Sequence, residues 1–150
     1  MDDPRPDVLG LLEPEEEVLA FTWARVPGSR TSGTTFASIL ALIVTFDFLR
    51  NRIAMRHLRK RSQQYGLPLE RRMAMCATNQ RLLVWGAARS RRRVGPLLFA
   101  LPRSRIISAS LPFVGGARWR TIQLQTAEGA LIRLQVRTSA AESLISALAN

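Results

Sequence analysis

Two alternating segments near the C-terminus constrain the fold of this chain most strongly. Residues 119–126 and 131–137 each alternate apolar and polar side chains, and the turn-forming pair Glu128-Gly129 lies between them. Period-two alternation on both sides of a Gly-containing turn predicts an antiparallel hairpin. The apolar side chains would pack on one face of this hairpin and leave a wet, basic face outside.

Five more short segments fit β-strands, and turn or loop residues separate them. They are residues 13–26, 71–78, 81–87, 96–102 and 106–113. After the final hairpin, the sequence TSAAESLISALAN repeats apolar residues at helical spacing from Thr138 onward. The chain is therefore predicted to be mainly β (α+β): a roll or barrel of about seven antiparallel strands, capped by a C-terminal helix that covers apolar sheet surface.

The order of these segments resembles the bacterial pleckstrin-homology-like (PH-like) domains. The resemblance runs through LEPEEEVLAFTW, CATNQRLLVWG, LPRSRIISASLP and IQLQTAEGALIRLQV to the last helix. Its most specific pieces are Thr78, Arg81 and Leu82 in TNQRLLVW, and LPRSRI at 101–106. It covers nearly the whole chain apart from residues 30–65. It implies a PH-like barrel that binds membranes or proteins and performs no chemistry.

The departure from that family is a predicted helical insertion, residues 31–65, after the first strand. Nothing interrupts a helix from about Thr35 to Gln64, and Gly66 with Pro68 would end it. Its first half is apolar on every side, so it requires an apolar neighbour. These candidate residues for membrane contact or self-association are Phe36, Ile39, Leu40, Leu42, Ile43, Val44, Phe46 and Leu49.

Three interpretations of the apolar run remain open. Thr34 to Leu49 spans roughly 24 Å as a helix, which is shorter than the roughly 30 Å hydrocarbon core of a bilayer. The run packs against its own barrel or another subunit, or it lies in one leaflet of a membrane, or it crosses the bilayer as a tilted span that continues past Arg50. In the second case the following basic residues would meet lipid headgroups; they are Arg50, Arg52, Arg56, Arg59, Lys60 and Arg61.

Charge is distributed unevenly along the 150 residues, whose net charge is +11. Residues 1–17 contain seven acids and one base, whereas the remainder contains 21 bases and four acids. Such a basic body attracts polyanions, including anionic lipid headgroups. Nucleic acid is disfavoured as a partner, because the chain has neither a recognition-helix pattern nor aromatic residues spaced for base stacking on a basic strand.

A second basic feature is an Arg-rich loop between two strands. It contains Arg89, Arg91, Arg92 and Arg93. By the PH-like resemblance, in which loops at the open end of the barrel hold anionic lipid, these residues form a candidate headgroup site. The alternative is a solubilising surface.

The titratable residues do not predict an enzyme. His57 is the sole histidine and lies among arginines, and the four carboxylates after residue 17 are scattered. No cluster has the composition of a metal site, and no Gly-rich loop would hold a phosphate, so we expect no catalytic residues, cofactor, metal or small-molecule substrate. Cys76, the single cysteine, fits a buried apolar position.

The sequence therefore predicts an acidic tail at residues 1–12 and a single PH-like domain at 13–150. The lone cysteine and the absence of a signal-peptide pattern predict a cytoplasmic protein. The expected function is peripheral association with an anionic membrane, on the inner face of the cell membrane. The alternative is a homo-oligomeric protein-interaction scaffold whose apolar helices pack against one another.

Overall fold

The computed structural model describes residues 6–27, 55–56, 58–87, 93–112 and 118–149. The prediction of a mainly β fold with seven antiparallel strands and a C-terminal helix is confirmed. The predicted long insertion at 31–65 lies outside the described residues except for 55–56 and 58–65. These residues are helical.

From β1 onward, the elements follow the order that the sequence patterns predict. They are α1 (Pro6–Leu9), β1 (Val18–Arg25), α2 (described at 55–56 and 58–65), β2 (Met73–Thr78), β3 (Arg81–Ala87), β4 (Val94–Pro102), β5 (Ile106–Ser110), β6 (Trp119–Thr126), β7 (Leu131–Arg137) and α3 (Thr138–Ala149). A single 3-10 turn, Arg103–Arg105, joins β4 to β5. The strand order β4-β3-β2-β1-β7-β6-β5 makes β4 and β5 the two edges of the sheet.

The C-terminal hairpin has the register that its alternation predicts. Ile122 pairs with Leu134 and Leu124 with Ile132, and all four side chains are buried. Gly129 has a φ of 81°, a left-handed conformation that closes the turn without the steric cost a side chain would bring. Among the described residues, the backbone pairing that joins the hairpin to the first four strands is that of Ala24 and Arg25 of β1 with Val136 and Gln135 of β7.

The sheet formed by β1–β4, called the first sheet below, is apolar on both faces. Side chains such as Met75, Leu82 and Val84 point inward to the main core, which β6, β7 and α3 also line. The alternate residues form a second group on the opposite face, called the outer cluster. It consists of Val8, Phe21, Ala74, Cys76, Leu83 and Trp85, all buried. β2 is consequently buried at every position.

The helix α2 ends where the sequence predicts, at Gly66. Gly66 has a φ of 62°, and its N–H donates to the Gln63 carbonyl at 3.3 Å. The N–H of Leu67 donates to the Ser62 carbonyl at 3.2 Å, which completes a Schellman cap and satisfies two terminal carbonyls of the helix. This cap turns the chain toward β2 and directs Leu69 into the main core.

Candidate functional site

The described part of the predicted site consists of five basic residues. They are Arg56, Arg59, Lys60, Arg61 and Arg93. The apolar candidates Phe36, Ile39, Leu40, Leu42, Ile43, Val44, Phe46 and Leu49, together with Arg50, Arg52, Arg89, Arg91 and Arg92, lie outside the described residues.

The described part of α2 has a buried side and a basic side. Leu58 and Tyr65, seven positions apart, are buried and pack into the main core. Arg56, Arg59 and Lys60 occur at a spacing of three and four residues, which places them on one helical face, and all three are exposed. The main core therefore holds one side of this helix, and the other side, with three cations, faces the exterior.

Arg61 has a different role from its basic neighbours. Its Nη1 donates a hydrogen bond to the Tyr65 hydroxyl at 2.8 Å, and the same oxygen accepts the backbone N–H of Arg133 in β7 at 3.3 Å. The hydroxyl satisfies an N–H of β7 located beyond the two residues where β7 pairs with β1. Arg61 thus helps to fasten α2 to the second half of the sheet.

The segment that follows α2 and the strand ends that flank the Arg-rich loop lie at the same end of the first sheet. Glu70, just after α2, accepts a hydrogen bond from the N–H of Ala87 at 3.2 Å. Ala87 ends β3 and pairs with Val94, so the Arg-rich loop leaves and re-enters the sheet beside this contact. Arg93 precedes β4 and is exposed. We call the region around Glu70, Ala87 and Arg93 the basic end.

Glycine makes that close approach possible. A Cβ at Gly86 would lie 2.5 Å from Glu70 Oε2, and a Cβ at Gly95 would lie 2.8 Å from the Gly86 carbonyl oxygen. The absence of a Cβ at Gly95 lets β3 and β4 approach this closely, and its absence at Gly86 leaves the space that the Glu70 carboxylate occupies. Glu70, which follows α2, and the ends of β3 and β4 beside the Arg-rich loop are therefore held together by packing as well as by a hydrogen bond.

Three carboxylates outside the N-terminal segment are engaged away from the exposed face of α2. Glu128 pairs with Arg105, Glu142 pairs with Arg120, and Glu70 accepts the Ala87 N–H. Within the residues that the structure describes, no ion pair joins a carboxylate to Arg56, Arg59 or Lys60. This face is thus a cationic surface whose charge no described acid offsets.

Sequence reasoning did not find a buried ion-pair cluster at the opposite end of the first sheet. The Glu16 side chain is fully buried, and its two oxygens accept hydrogen bonds from Nε and Nη2 of Arg81, each at 2.9 Å. Thr78 Oγ1 donates to the same carboxylate at 2.7 Å, and the Glu13 N–H donates to it at 3.1 Å. Arg81 also contacts the Glu13 carboxylate.

These donors explain the acidity of Glu16. Hydrogen bonding to Arg81, the largest cause, outweighs burial and lowers the pKa of Glu16 from 4.5 to about 2. Glu16 lies in EPEEE and Arg81 in TNQR, two segments that carry the PH-like resemblance, but neither segment by itself predicts that the two residues pair. Asn79 reinforces the contact, because its side chain binds the backbone of Glu15 and Glu17.

Cys76 lies in the outer cluster and is fully buried, as its apolar surroundings in the sequence predict. Desolvation, with a smaller contribution from Glu16, raises the pKa of its thiol to about 12. The protonated thiol is unreactive at neutral pH and serves as a small packing residue.

No protein-family model matches this chain, and no similar curated protein was found.

Among the described helices, none combines the length and the apolar character that crossing a bilayer requires.

Proposed function

We propose that this chain is a non-enzymatic, PH-like binding module that associates peripherally with anionic membrane surfaces. The contact is made by the exposed face of α2 and by the Arg-rich loop before β4. The observation that carries the proposal is the orientation of α2: Leu58 and Tyr65 pack into the main core, while Arg56, Arg59 and Lys60 face outward. The antiparallel strand order and the capping helix agree with the architecture that the PH-like resemblance implies.

The energetics favour adsorption that depends on salt. A Lys or Arg near an anionic leaflet contributes about 1 kcal/mol, so the three exposed cations of α2 contribute on the order of 3 kcal/mol. That contribution extends only about 8 Å from the surface at physiological ionic strength. Stable attachment requires a second signal, and the apolar residues 36–49 directly precede this basic face in the sequence.

Rigid attachment of the helix adds specificity of orientation. Because Tyr65 and the Gly66 cap fix α2 on the sheet, the three cations keep a constant position relative to the basic end. A flexible basic tail would bind anionic lipid without orienting the domain. On this proposal the module works at the inner face of the cell membrane, and it docks with the basic end toward the lipid.

Co-sedimentation with liposomes tests the proposal. The wild-type protein is expected to sediment with vesicles that contain phosphatidylserine or phosphatidylglycerol, but not with phosphatidylcholine vesicles. The double substitution Arg56→Glu and Lys60→Glu reverses two exposed cations on α2 and is expected to abolish binding at physiological salt.

A matched control separates the site from net charge. Arg118 and Arg137 are exposed beside the start of α3, and neither belongs to α2 or to the Arg-rich loop. Replacing both with Glu changes the net charge by the same amount, and this variant is expected to keep most of the binding. Equal loss in both variants would show that only total charge matters, and undiminished binding by the α2 variant would refute the site.

A further inference from the structure

The outer face of the first sheet is only partly covered. Residues 6–17 cross it, because Val8 packs in the outer cluster while Glu16 binds Arg81. β4 extends beyond this cover. Leu97 pairs with Trp85 and Ala100 with Leu83, so their side chains share the face of the outer cluster.

This uncovered rim is apolar and free of charge. Leu97 is 52% exposed and Ala100 is exposed, and β4 has no charged residue over its nine positions. Leu9 and Leu11, which follow the buried Val8 in the segment that packs on this face, are 53% and 55% exposed. We call Leu9, Leu11, Leu97 and Ala100 the outer patch. Three of the six exposed large apolar side chains among the described residues thus lie in the two segments that border the outer cluster, which favours an interaction surface here.

The edge of β4 does not suit the addition of another strand. Pro96 and Pro102 lack the N–H that a paired strand needs, and the register with β3 is irregular between Val84 and Ala87. Prolines and bulges of this kind block edge-to-edge pairing. A partner at this surface therefore binds through side chains on the face of the sheet.

The two ends of the outer face carry opposite charge. Glu15 and Glu17 are exposed, and Asn79 holds their backbone at the β2–β3 turn. Arg72 and Arg93 are exposed at the basic end. The seven residues of β3 connect the two ends, which corresponds to a separation of about 20 Å.

We infer that this face binds a second copy of the chain in a two-fold symmetric dimer. A two-fold axis through the outer patch brings Leu97 of the two copies close together and opposes the acidic end of each copy to the basic end of the other. Such an isologous interface requires a self-complementary surface, which an apolar centre between ends of opposite charge supplies. The uncharged patch also avoids the like-charge contacts that other faces of a +11 chain would make.

The inference does not depend on membrane binding, so it is tested without lipid. Sedimentation velocity over a concentration series is expected to show a reversible dimer of the wild type. Leu97→Ser is expected to weaken the dimer at least about tenfold, as loss of a central contact does. Ile107→Ser is the matched control, because Ile107 is 63% exposed on the other edge strand, β5.

A charge exchange gives the sharper test. The variant Glu15→Arg/Glu17→Arg and the variant Arg72→Glu/Arg93→Glu are each expected to be monomeric, because each places like charges across the two-fold axis. Mixing the two variants is expected to restore a heterodimer. Circular dichroism checks that each variant is folded.

Three results would overturn the inference. The first is a wild type that stays monomeric at its highest soluble concentration. The second is a dimer that Leu97→Ser leaves unchanged, which would place the interface elsewhere, and the third is failure of the mixed variants to associate. If the wild type is monomeric and Leu97→Ser instead reduces liposome binding, the outer patch contacts lipid and the dimer is rejected.

Discussion

Acidification to pH 2 is expected to remove a large, identifiable part of the stability of this domain through Glu16. Its folded-state pKa of about 2 lies below its ordinary value of 4.5. A carboxyl group whose pKa is lowered by folding stabilises the native state fully above its unfolded pKa. That contribution decreases as the pH falls from about 5, and it is lost near pH 2, where Glu16 becomes protonated in the folded protein too.

The magnitude follows from the difference between the two pKa values. A difference of about 2.5, at about 1.4 kcal/mol for each pH unit, gives about 3 kcal/mol. The full conversion is justified because the Glu16 side chain is completely buried and receives four hydrogen bonds. Small domains have a free energy of unfolding of about 5–15 kcal/mol, so this one group supplies a substantial fraction.

Urea denaturation at a series of pH values measures the effect. Between pH 5 and pH 2 the wild-type free energy of unfolding is expected to fall by about 3 kcal/mol more than that of Glu16→Gln. At pH 7 the variant is expected to be less stable by a similar amount, because the neutral amide imitates the protonated acid. Glu128→Gln is the control: Arg105 also lowers the pKa of Glu128, but this pair is half exposed, so little change is expected.

Parallel pH profiles for the wild type and Glu16→Gln would refute the reasoning. They would show that the ion pair between Glu16 and Arg81 contributes no net stability, because the desolvation of the two groups offsets their attraction. A near-ultraviolet circular dichroism spectrum unchanged by Glu16→Gln is required before the comparison is made.

Two further substitutions test how segments outside the sheet are attached. Tyr65→Phe keeps the buried ring but removes the oxygen that accepts hydrogen bonds from Arg61 and Arg133. We expect the free energy of unfolding, measured by urea denaturation, to fall by about 1–3 kcal/mol, and the Arg133 amide to exchange faster. Unchanged exchange at Arg133 would contradict this role. Val8→Ala removes two methyl groups from the outer cluster and is expected to lower the free energy of unfolding by about 1–2 kcal/mol. Leu9→Ala is the control, because Leu9 is half exposed, and it is expected to lower that free energy much less. Equal effects would show that the N-terminal segment is not packed as described.

The strands were predictable because their signals are local. Alternation in β6 and β7 identifies the buried face of each strand, and the position of Gly129 identifies the turn that fixes their register. The end of α2 was predictable for the same reason, since only a residue tolerant of a positive φ completes the cap at Gly66. In each case the information lies within a few residues of the structure that it specifies.

The basic site was predictable only in part. The sequence identifies a basic run, but it does not show that Arg61 binds Tyr65 while Arg56, Arg59 and Lys60 face outward. That difference arises because Leu58 and Tyr65 pack into the core and set the rotation of the helix. Composition likewise assigns residues 1–12 to an acidic tail, whereas a single side chain, Val8, is fully buried in the outer cluster.

By itself, the sequence determined the fold class, the strand order along the chain, the helix end at Gly66 and the uneven distribution of charge. Only the tertiary structure decided which of those elements meet: Glu16 with Arg81 across 65 positions, Glu70 with Ala87 across 17, and Tyr65 with Arg133 across 68. The physical reason is that backbone preference and periodicity act between near neighbours in sequence. The pairing of distant charges and hydrogen-bonding groups, in contrast, depends on strand register and on the packing of both faces of the first sheet.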